Sequence, residues 1–128
     1  GACSVCRQED EVTQYVRRLY AVCLQRDPDA GGLAGWCSVL WNYKATGASA
    51  AYGFFFSTEM KNRNYNDAAF LEALYAVMLN RRPDETGLAV WKAELAGGTS
   101  RESVFAGFAA SREFAVLCAG YGILSNSL

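Results

Sequence analysis

An internal duplication constrains the fold more than any other feature of this chain, because residues 15–59 recur in recognisable form at residues 70–113. The offset between the copies is 55 residues as far as Trp36 and its counterpart Trp91, and 54 residues further on. One residue has therefore been lost in the turn that follows the tryptophan. A chain that repeats its sequence is expected to repeat its local structure. The matched segments are Leu19–Leu24 with Leu74–Leu79, Pro28-Asp29 with Pro83-Asp84, Gly32-Leu33 with Gly87-Leu88, and Gly53-Phe54 with Gly107-Phe108.

Apolar residues follow helical spacing, as in Val12, Val16, Leu19 and Cys23, which fall at positions i, i+4, i+7 and i+11. Such a stripe occupies one face of a helix. Strand-like alternation and Asn-Gly or Asp-Gly hairpin turns are absent from the sequence. The sequence therefore predicts an all-α fold, a compact domain of six or seven helices built from two tandem repeats with pseudo-twofold symmetry. We expect one domain over residues 1–128, with repeats at about 12–66 and 67–123 and a loosely held tail from Tyr121.

Each copy contains a single proline, Pro28 or Pro83, shortly after its first helix. A proline disfavours helical geometry in the residue before it, so that helix should end there. The following Asp29 or Asp84 is placed to cap the next helix, because its carboxylate can accept hydrogen bonds from first-turn N–H groups. The tryptophan of each copy should then pack back onto the preceding helix as part of the core.

Charge and composition argue against several classes of function. The chain has 12 basic and 13 acidic side chains and a net charge of −1, without the basic stripe of a nucleic-acid-binding protein. No apolar run approaches the roughly 18–20 residues that cross a bilayer, so no membrane span is expected. The chain has no histidine, the commonest general base and a common metal ligand. Phosphate loops and dinucleotide fingerprints are also absent, so no cofactor is expected.

Five cysteines are more than a cytosolic protein of this size usually carries, and they are Cys3, Cys6, Cys23, Cys37 and Cys118. Structural disulfides formed in an oxidising compartment are the favoured interpretation, and buried free thiols are the alternative. Cys23 and Cys37 are the favoured pair, because the short connection between their helices suggests antiparallel packing. Cys118 could instead pair with Cys3 or Cys6, or those two with each other.

The first proline segment resembles the opening of a calcium loop. Counting Asp27 as position one, Asp29 is position three and Gly32 is position six, as in an EF-hand. The match fails at position twelve, where Ser38 replaces the bidentate glutamate, and Arg82 occupies position one of the second copy. Asp27 and Asp29 are therefore only a weak metal candidate, and no metal site is expected.

Glu59 and Glu113 are a matched pair of carboxylates, and paired carboxylates are the machinery of glycan hydrolysis. Each glutamate follows a Ser-x pair that reads as a helix start, where an acidic residue is stabilised by the helix dipole. Stabilisation of a helix N-terminus therefore explains both glutamates without a catalytic role.

Three aromatic residues lack an aromatic counterpart in the second copy and are the candidate binding residues. Trp41 corresponds to Ala96 and Tyr52 to Ala106, and the third residue is Tyr43. Exposed tryptophan and tyrosine rings present a broad apolar face with a polar edge, which suits the stacking of sugar rings. Packing within the core is the alternative.

The recurring pattern resembles the domain of unknown function 4214 family, in the order Leu74-Tyr75, Leu79, Pro83-Asp84, Gly87-Leu88, Trp91, Gly107-Phe108, Ser111 and Glu113-Phe114. The resemblance extends from about Val12 to Ile123, and the stretch Ala51–Ser57 is similar to the form found in gut-type Gram-positive bacteria. It implies a small helical module of secreted or cell-surface bacterial proteins, often beside wall-anchoring, surface-layer or carbohydrate-active domains. It implies no catalytic residue.

Together these features favour a non-catalytic binding or assembly module of an extracellular or cell-wall bacterial protein. The expected partner is a cell-wall or host glycan, or another surface protein. One alternative is a carboxylate-based glycan-active enzyme, which requires two facing carboxylates about 5–10 Å apart. The other is a purely structural spacer, which predicts neither a pocket nor an exposed patch.

Overall fold

The computed structural model describes residues 11–42 and 44–125, so that Cys3, Cys6 and Tyr43 lie outside the described residues. The all-α prediction is confirmed, since the described part of the chain is helical and contains no strand. It has eight α-helices rather than six or seven, because each half contributes four. They are α1 (Glu11–Leu19), α2 (Ala30–Trp41), α3 (Gly47–Phe55), α4 (Thr58–Lys61), α5 (Asp67–Leu74), α6 (Glu85–Ala96), α7 (Arg101–Ala109) and α8 (Arg112–Tyr121).

The first helix of each half does not end where the proline predicts. α1 and α5 each continue into one π-helical turn, Tyr20–Leu24 and Tyr75–Leu79. Each turn is followed by a residue in the left-handed conformation, Gln25 with φ 55° and Asn80 with φ 52°. These helices therefore end at Leu24 and Leu79, four residues before Pro28 and Pro83. We call the segments 25–29 and 80–84 the first and second elbows.

Side-chain caps begin most of the remaining helices, as their sequences predict. Ser57 accepts a hydrogen bond from the N–H of Met60, and Asp84 accepts one from the N–H of Gly87. Asp29 also stands at the start of its helix, but its side chain makes no such bond. The cap predicted for both elbows is therefore complete only in the second.

One hydrophobic core runs through both halves. Within the described residues no polar or charged side chain is fully buried. An aromatic cluster joins the halves, where the rings of Phe55 and Phe56 contact those of Phe70 and Phe105. Full burial of one such large apolar side chain contributes about 1.5–3 kcal/mol. The largest fully buried side chains are Tyr15, Phe70, Phe114, Leu19, Leu40, Leu71, Leu74 and Met78.

The segment after α8 is held more firmly than the sequence predicts. The N–H of Gly47 donates to the carbonyl of Leu124 at 2.7 Å, and the N–H of Ala48 donates to the carbonyl of Ser125 at 2.9 Å. Ile123 is buried in the core. The expected loose tail is therefore wrong as far as residue 125, because this segment supplies acceptors to the free N–H groups at the start of α3.

The cysteines also depart from expectation. Cys23 is a buried free thiol, so the structure does not join it to Cys37 as the favoured pairing requires. The Sγ of Cys37 lies 3.7 Å from the Oγ1 of Thr13, ten residues before Cys23. The helix rises about 1.5 Å per residue. Cys37 therefore packs beside the start of α1, about 15 Å from Cys23 along the axis of that helix. Cys118 is a second buried free thiol.

None of the helices in the described residues is, taken singly, both long and apolar enough to cross a membrane. The consecutive helices α7 and α8 meet that test together by length and composition, although they are bent by 60° at the break between them.

Candidate functional site

The recurring sequence pattern builds one aromatic cluster in each half. The rings of Tyr20 and Phe54 meet edge to face with centroids 4.8 Å apart, and those of Tyr75 and Phe108 do so at 5.0 Å. The tryptophan of each half completes the cluster: the Trp36–Phe54 distance is 5.3 Å and the Trp91–Phe108 distance is 5.2 Å. Both tryptophans are partly buried against the core, but these ring contacts are to the third helix of each half, whereas the prediction placed them on the first helix.

Two glycines of the pattern are required because a tyrosine hydroxyl lies too close to each of them to leave room for a side chain. A Cβ atom on Gly32 would lie 2.4 Å from the hydroxyl of Tyr20, and one on Gly87 would lie 2.6 Å from the hydroxyl of Tyr75. Both distances are too short for a real carbon–oxygen contact. These positions therefore admit only glycine unless the tyrosine moves.

An arginine in each elbow binds the matched glutamate through two hydrogen bonds. The Nε of Arg26 donates to the Oε2 of Glu59 at 2.8 Å, and the Nε of Arg81 donates to the Oε2 of Glu113 at 2.8 Å. A second bond runs from the Nη2 atom in each pair, at 3.2 Å and 3.3 Å. Each guanidinium also lies 5.1 Å from the ring centroid of its tyrosine. The pattern therefore forms two similar clamps between an elbow and the last helix of the half.

Electrostatics at the first clamp favour the ionised form of Glu59. The hydrogen bond from Arg26 lowers the pKa of Glu59, although desolvation acts in the opposite direction. A general acid of glycan hydrolysis needs a raised pKa, so Glu59 is poorly suited to that role. The two glutamates are bound to separate arginines in separate halves, which gives both a structural function.

The weak calcium candidate gains no further ligand from the fold. Asp27 and Asp29 are both exposed. In the ranges 11–42 and 44–125, no three His, Cys, Asp or Glu side chains are grouped as a metal site would require.

Two of the three predicted binding aromatics, Trp41 and Tyr52, are exposed, and their rings make no contact with each other within the described residues. Trp41 is 45% exposed at the end of α2, and Tyr52 is 47% exposed on α3. The ring of Tyr52 packs on Phe56 at 4.6 Å and on Phe105 at 5.6 Å. Tyr52 is thus partly committed to the cluster that joins the halves, whereas Trp41 makes no ring contact within the described residues.

The helix that ends in Trp41 has an unusual exposed surface. Six of the twelve residues of α2 are exposed, namely Ala30, Gly31, Ala34, Gly35, Ser38 and Trp41. No residue of α2 carries a charge, whereas the matched helix α6 carries Glu85, Lys92 and Glu94. Surface helices usually present charged residues to solvent. We call these six residues of α2 the bare face.

A shallow groove lies beside the bare face. It has a volume of 340 Å³ and is lined by Gly31, Gly32, Gly35, Trp36 and Val39. The glycines have no side chains, so they leave part of the indole accessible. Apart from the backbone, the only polar group that these residues offer is the indole N–H of Trp36.

Sequence reasoning missed the arginine–glutamate clamps, whose partners are 33 residues apart in the first half and 32 in the second. The sequence did contain a signal for these clamps, because the arginine and the glutamate both recur at matched positions of the two copies. The bare face could also have been found, since α2 contrasts with its charged counterpart in sequence alone.

The chain matches the family described as Domain of unknown function (DUF4214) twice, over residues 7–64 and 51–118. Comparison with the curated proteins and with the solved structures returns no match. Because the matched residues extend over most of its length, the chain belongs to the DUF4214 family of domains.

Proposed function

We propose that this chain is a non-catalytic binding or assembly module of an extracellular or cell-surface bacterial protein, and that it binds a helix of a partner protein through the bare face of α2. The observation that carries the proposal is the absence of any charge on a helix with half of its residues exposed. Contiguous exposed apolar surface is a common mark of an interaction site.

The shape of the bare face favours a helical partner. Small side chains at positions 30, 31, 34 and 35 let another backbone approach closely, because the spacing between packed helices depends on the residues at their contact. Trp41 stands at one end of this surface and is 45% exposed. Tryptophan is among the residues most enriched at the energetic centres of protein interfaces.

A glycan is the weaker candidate for this surface. Specific recognition of a small ligand requires a few well-placed polar groups that fix its orientation. The groove beside Trp36 has almost none outside the backbone. A spacer function is also less well supported, because it provides no reason for an exposed tryptophan on an uncharged helix.

Matched charge substitutions test the proposal. Ala34→Glu places a charge on the bare face, and Ala89→Glu places the same charge at the corresponding exposed position of α6. Binding of the fluorescently labelled protein to intact Gram-positive cells should fall about tenfold for Ala34→Glu and for Trp41→Ala, since about 1.4 kcal/mol is lost. Ala89→Glu should bind like the wild type.

Pretreatment of the cells identifies the kind of partner. Protease treatment of the cells should abolish binding, and periodate oxidation of their glycans should leave it intact. Equal binding of the Ala34→Glu and Ala89→Glu variants would refute the role of the bare face. Loss of binding after periodate alone would assign the surface to a glycan instead.

A further inference from the structure

A second cleft, separate from the bare face, lies between α1 and the second elbow. Its volume is 670 Å³, which is within the range of small-molecule sites, about 300–1,000 Å³. Its charged lining residues are Arg18, Arg81, Arg82 and Glu72, and its apolar lining residues are Ala76, Pro83 and Leu88.

Arg18 is held in place but is not neutralised. Its Nη2 donates to the hydroxyl of Tyr121 at 2.6 Å, and its guanidinium lies 5.8 Å from the ring centroids of both Tyr15 and Tyr121. Its Nε is buried and has no hydrogen-bond partner. A buried donor without a partner destabilises the folded state and calls for an explanation. Among the described residues, no carboxylate forms an ion pair with Arg18.

The neighbouring arginines differ in how their charge is used. Arg81 is bound by Glu113 and lies 3.5 Å from a carboxylate oxygen of Asp84, so its charge is balanced. Arg82 is exposed and forms no ion pair with a carboxylate in the part of the chain that the structure describes. Among the described residues, Glu72 is the only acidic one in the lining. The described lining thus combines two guanidinium groups without an ion pair, Arg18 and Arg82, with one carboxylate and an apolar surface.

The first half does not reproduce this charge arrangement. The residue that corresponds to Arg82 is Asp27, and the residue that corresponds to Arg18 is Ala73. The basic character of the cleft thus depends on one arginine from each half, Arg18 on α1 and Arg82 in the second elbow, and neither is matched by a basic residue in the other copy.

We propose that this cleft binds a small organic oxyanion, in which a carboxylate, sulfate or phosphate group is attached to an apolar body. The planar guanidinium groups of Arg18 and Arg82 suit such oxyanions, because their N–H donors match two oxygens at once. The apolar lining accommodates the body of the ligand. Glu72 opposes the anion, so its removal should strengthen binding.

Titration followed by the amide signals of the ¹⁵N-labelled protein tests this site. The probes are benzoate with acetate as its non-aromatic control, and phenyl phosphate with inorganic phosphate as its control, all at constant ionic strength. The amide signals of residues 80–82 should move. The aromatic probes should bind about fivefold more tightly than their controls, since the ring buries apolar surface.

Three variants that leave the core untouched decide the outcome. Arg82→Gln should weaken benzoate binding about fivefold, and Glu72→Gln should strengthen it about threefold. Arg63→Gln removes the same charge from an exposed position outside the cleft and should change nothing. The proposal fails if Arg82→Gln and Arg63→Gln weaken binding equally, or if Glu72→Gln has no effect. It also fails if the amide signals of residues 80–82 stay in place at about 20 mM benzoate, where a millimolar site would be filled.

Discussion

The two halves of the molecule use the same internal contacts and expose different side chains. In each half an elbow arginine binds a glutamate at an Nε–Oε2 distance of 2.8 Å, in Arg26–Glu59 as in Arg81–Glu113. The same two elbows differ in the residue before the proline, which is Asp27 in the first and Arg82 in the second. Side chains that contact one another are thus matched between the halves, while neighbours that face solvent are free to differ.

The helices after the elbows show the same contrast. Cys37 is buried against α1, but its counterpart Lys92 is exposed. Trp41 and its counterpart Ala96 are both exposed, yet only the first is an aromatic residue. The difference teaches that the duplicated pattern specifies a scaffold, and that any specific binding is to be sought where the two halves disagree. We therefore propose one site on α2 and another at the second elbow.

Removing the central ring of each cluster should have the largest effect on stability. Phe54 and Phe108 are both buried, and each contacts a tyrosine and a tryptophan. Phe54→Ala and Phe108→Ala should each lower the free energy of unfolding by about 3–5 kcal/mol. Urea denaturation followed by circular dichroism measures this loss. A difference of more than about 2 kcal/mol between the variants would show that the halves are not energetically equivalent.

Adding a methyl group beneath each tyrosine should have the next largest effect. Gly32→Ala and Gly87→Ala each force a buried tyrosine hydroxyl to move, which should cost about 1–3 kcal/mol. The control is Gly35→Ala, because a Cβ there meets nothing within 4 Å. That variant should gain about 0.5–1 kcal/mol, since alanine is the better helix former. Destabilisation by Gly35→Ala of the same size would contradict the contact argument.

The two elbow aspartates should differ in their contribution. The hydrogen bond from the N–H of Gly87 lowers the pKa of Asp84, whereas Asp29 makes no side-chain cap bond. Asp84→Ala should therefore lower Tm more than Asp29→Ala at neutral pH. A carboxylate whose folded pKa is lowered stabilises the protein above its unfolded pKa, about 3.9, and this stability is lost as the pH falls through the folded pKa. The Tm gap between wild type and Asp84→Ala should narrow accordingly, and a gap independent of pH would argue against the cap.

The smallest expected effect concerns the buried thiols, which should react slowly with an alkylating reagent. No change in stability is involved. Burial raises the pKa of Cys118 to about 12 and raises that of Cys23 as well. Thiolate is the reactive form, so iodoacetamide at pH 8 should label both residues much more slowly in the native protein than in guanidinium chloride. Mass spectrometry of tryptic peptides measures the labelling. A linked Cys23–Cys37 peptide under non-reducing conditions would restore the disulfide that the sequence favoured.

Much of the fold follows from sequence because the determining signals are local. Helical periodicity places the apolar faces, and the elbows recur with Pro28 and Pro83. The π-helical turns and the left-handed Gln25 and Asn80 escaped prediction, because neither residue is the glycine that usually marks such a conformation. The Cys23–Cys37 pairing was wrong for a different reason. A disulfide requires two sulfur atoms that lie close together on the paired helices, and neither composition nor sequence spacing shows this.

The candidate sites were only partly predictable. The exposure of Trp41 and Tyr52 agrees with their selection as surface residues, since neither has an aromatic counterpart. Whether their rings would meet could not be foreseen, because it depends on how α2 and α3 pack. The cleft at the second elbow was not foreseen either, since it brings Arg18 near Arg82 from a different half. Long-range proximity of this kind is a tertiary property that no local pattern encodes.

The bonds between the start of α3 and the segment after α8 also bear on how the protein is made. The N–H groups of Gly47 and Ala48 obtain their acceptors from Leu124 and Ser125, and a Cβ on Gly47 would lie 2.7 Å from the Sγ of Cys118. During translation, the first half therefore emerges from the ribosome long before residues 124 and 125, whose carbonyls accept the hydrogen bonds at the start of α3. A nascent chain interrupted after the first copy would present an open helix end and uncovered apolar surface to the chaperones it meets.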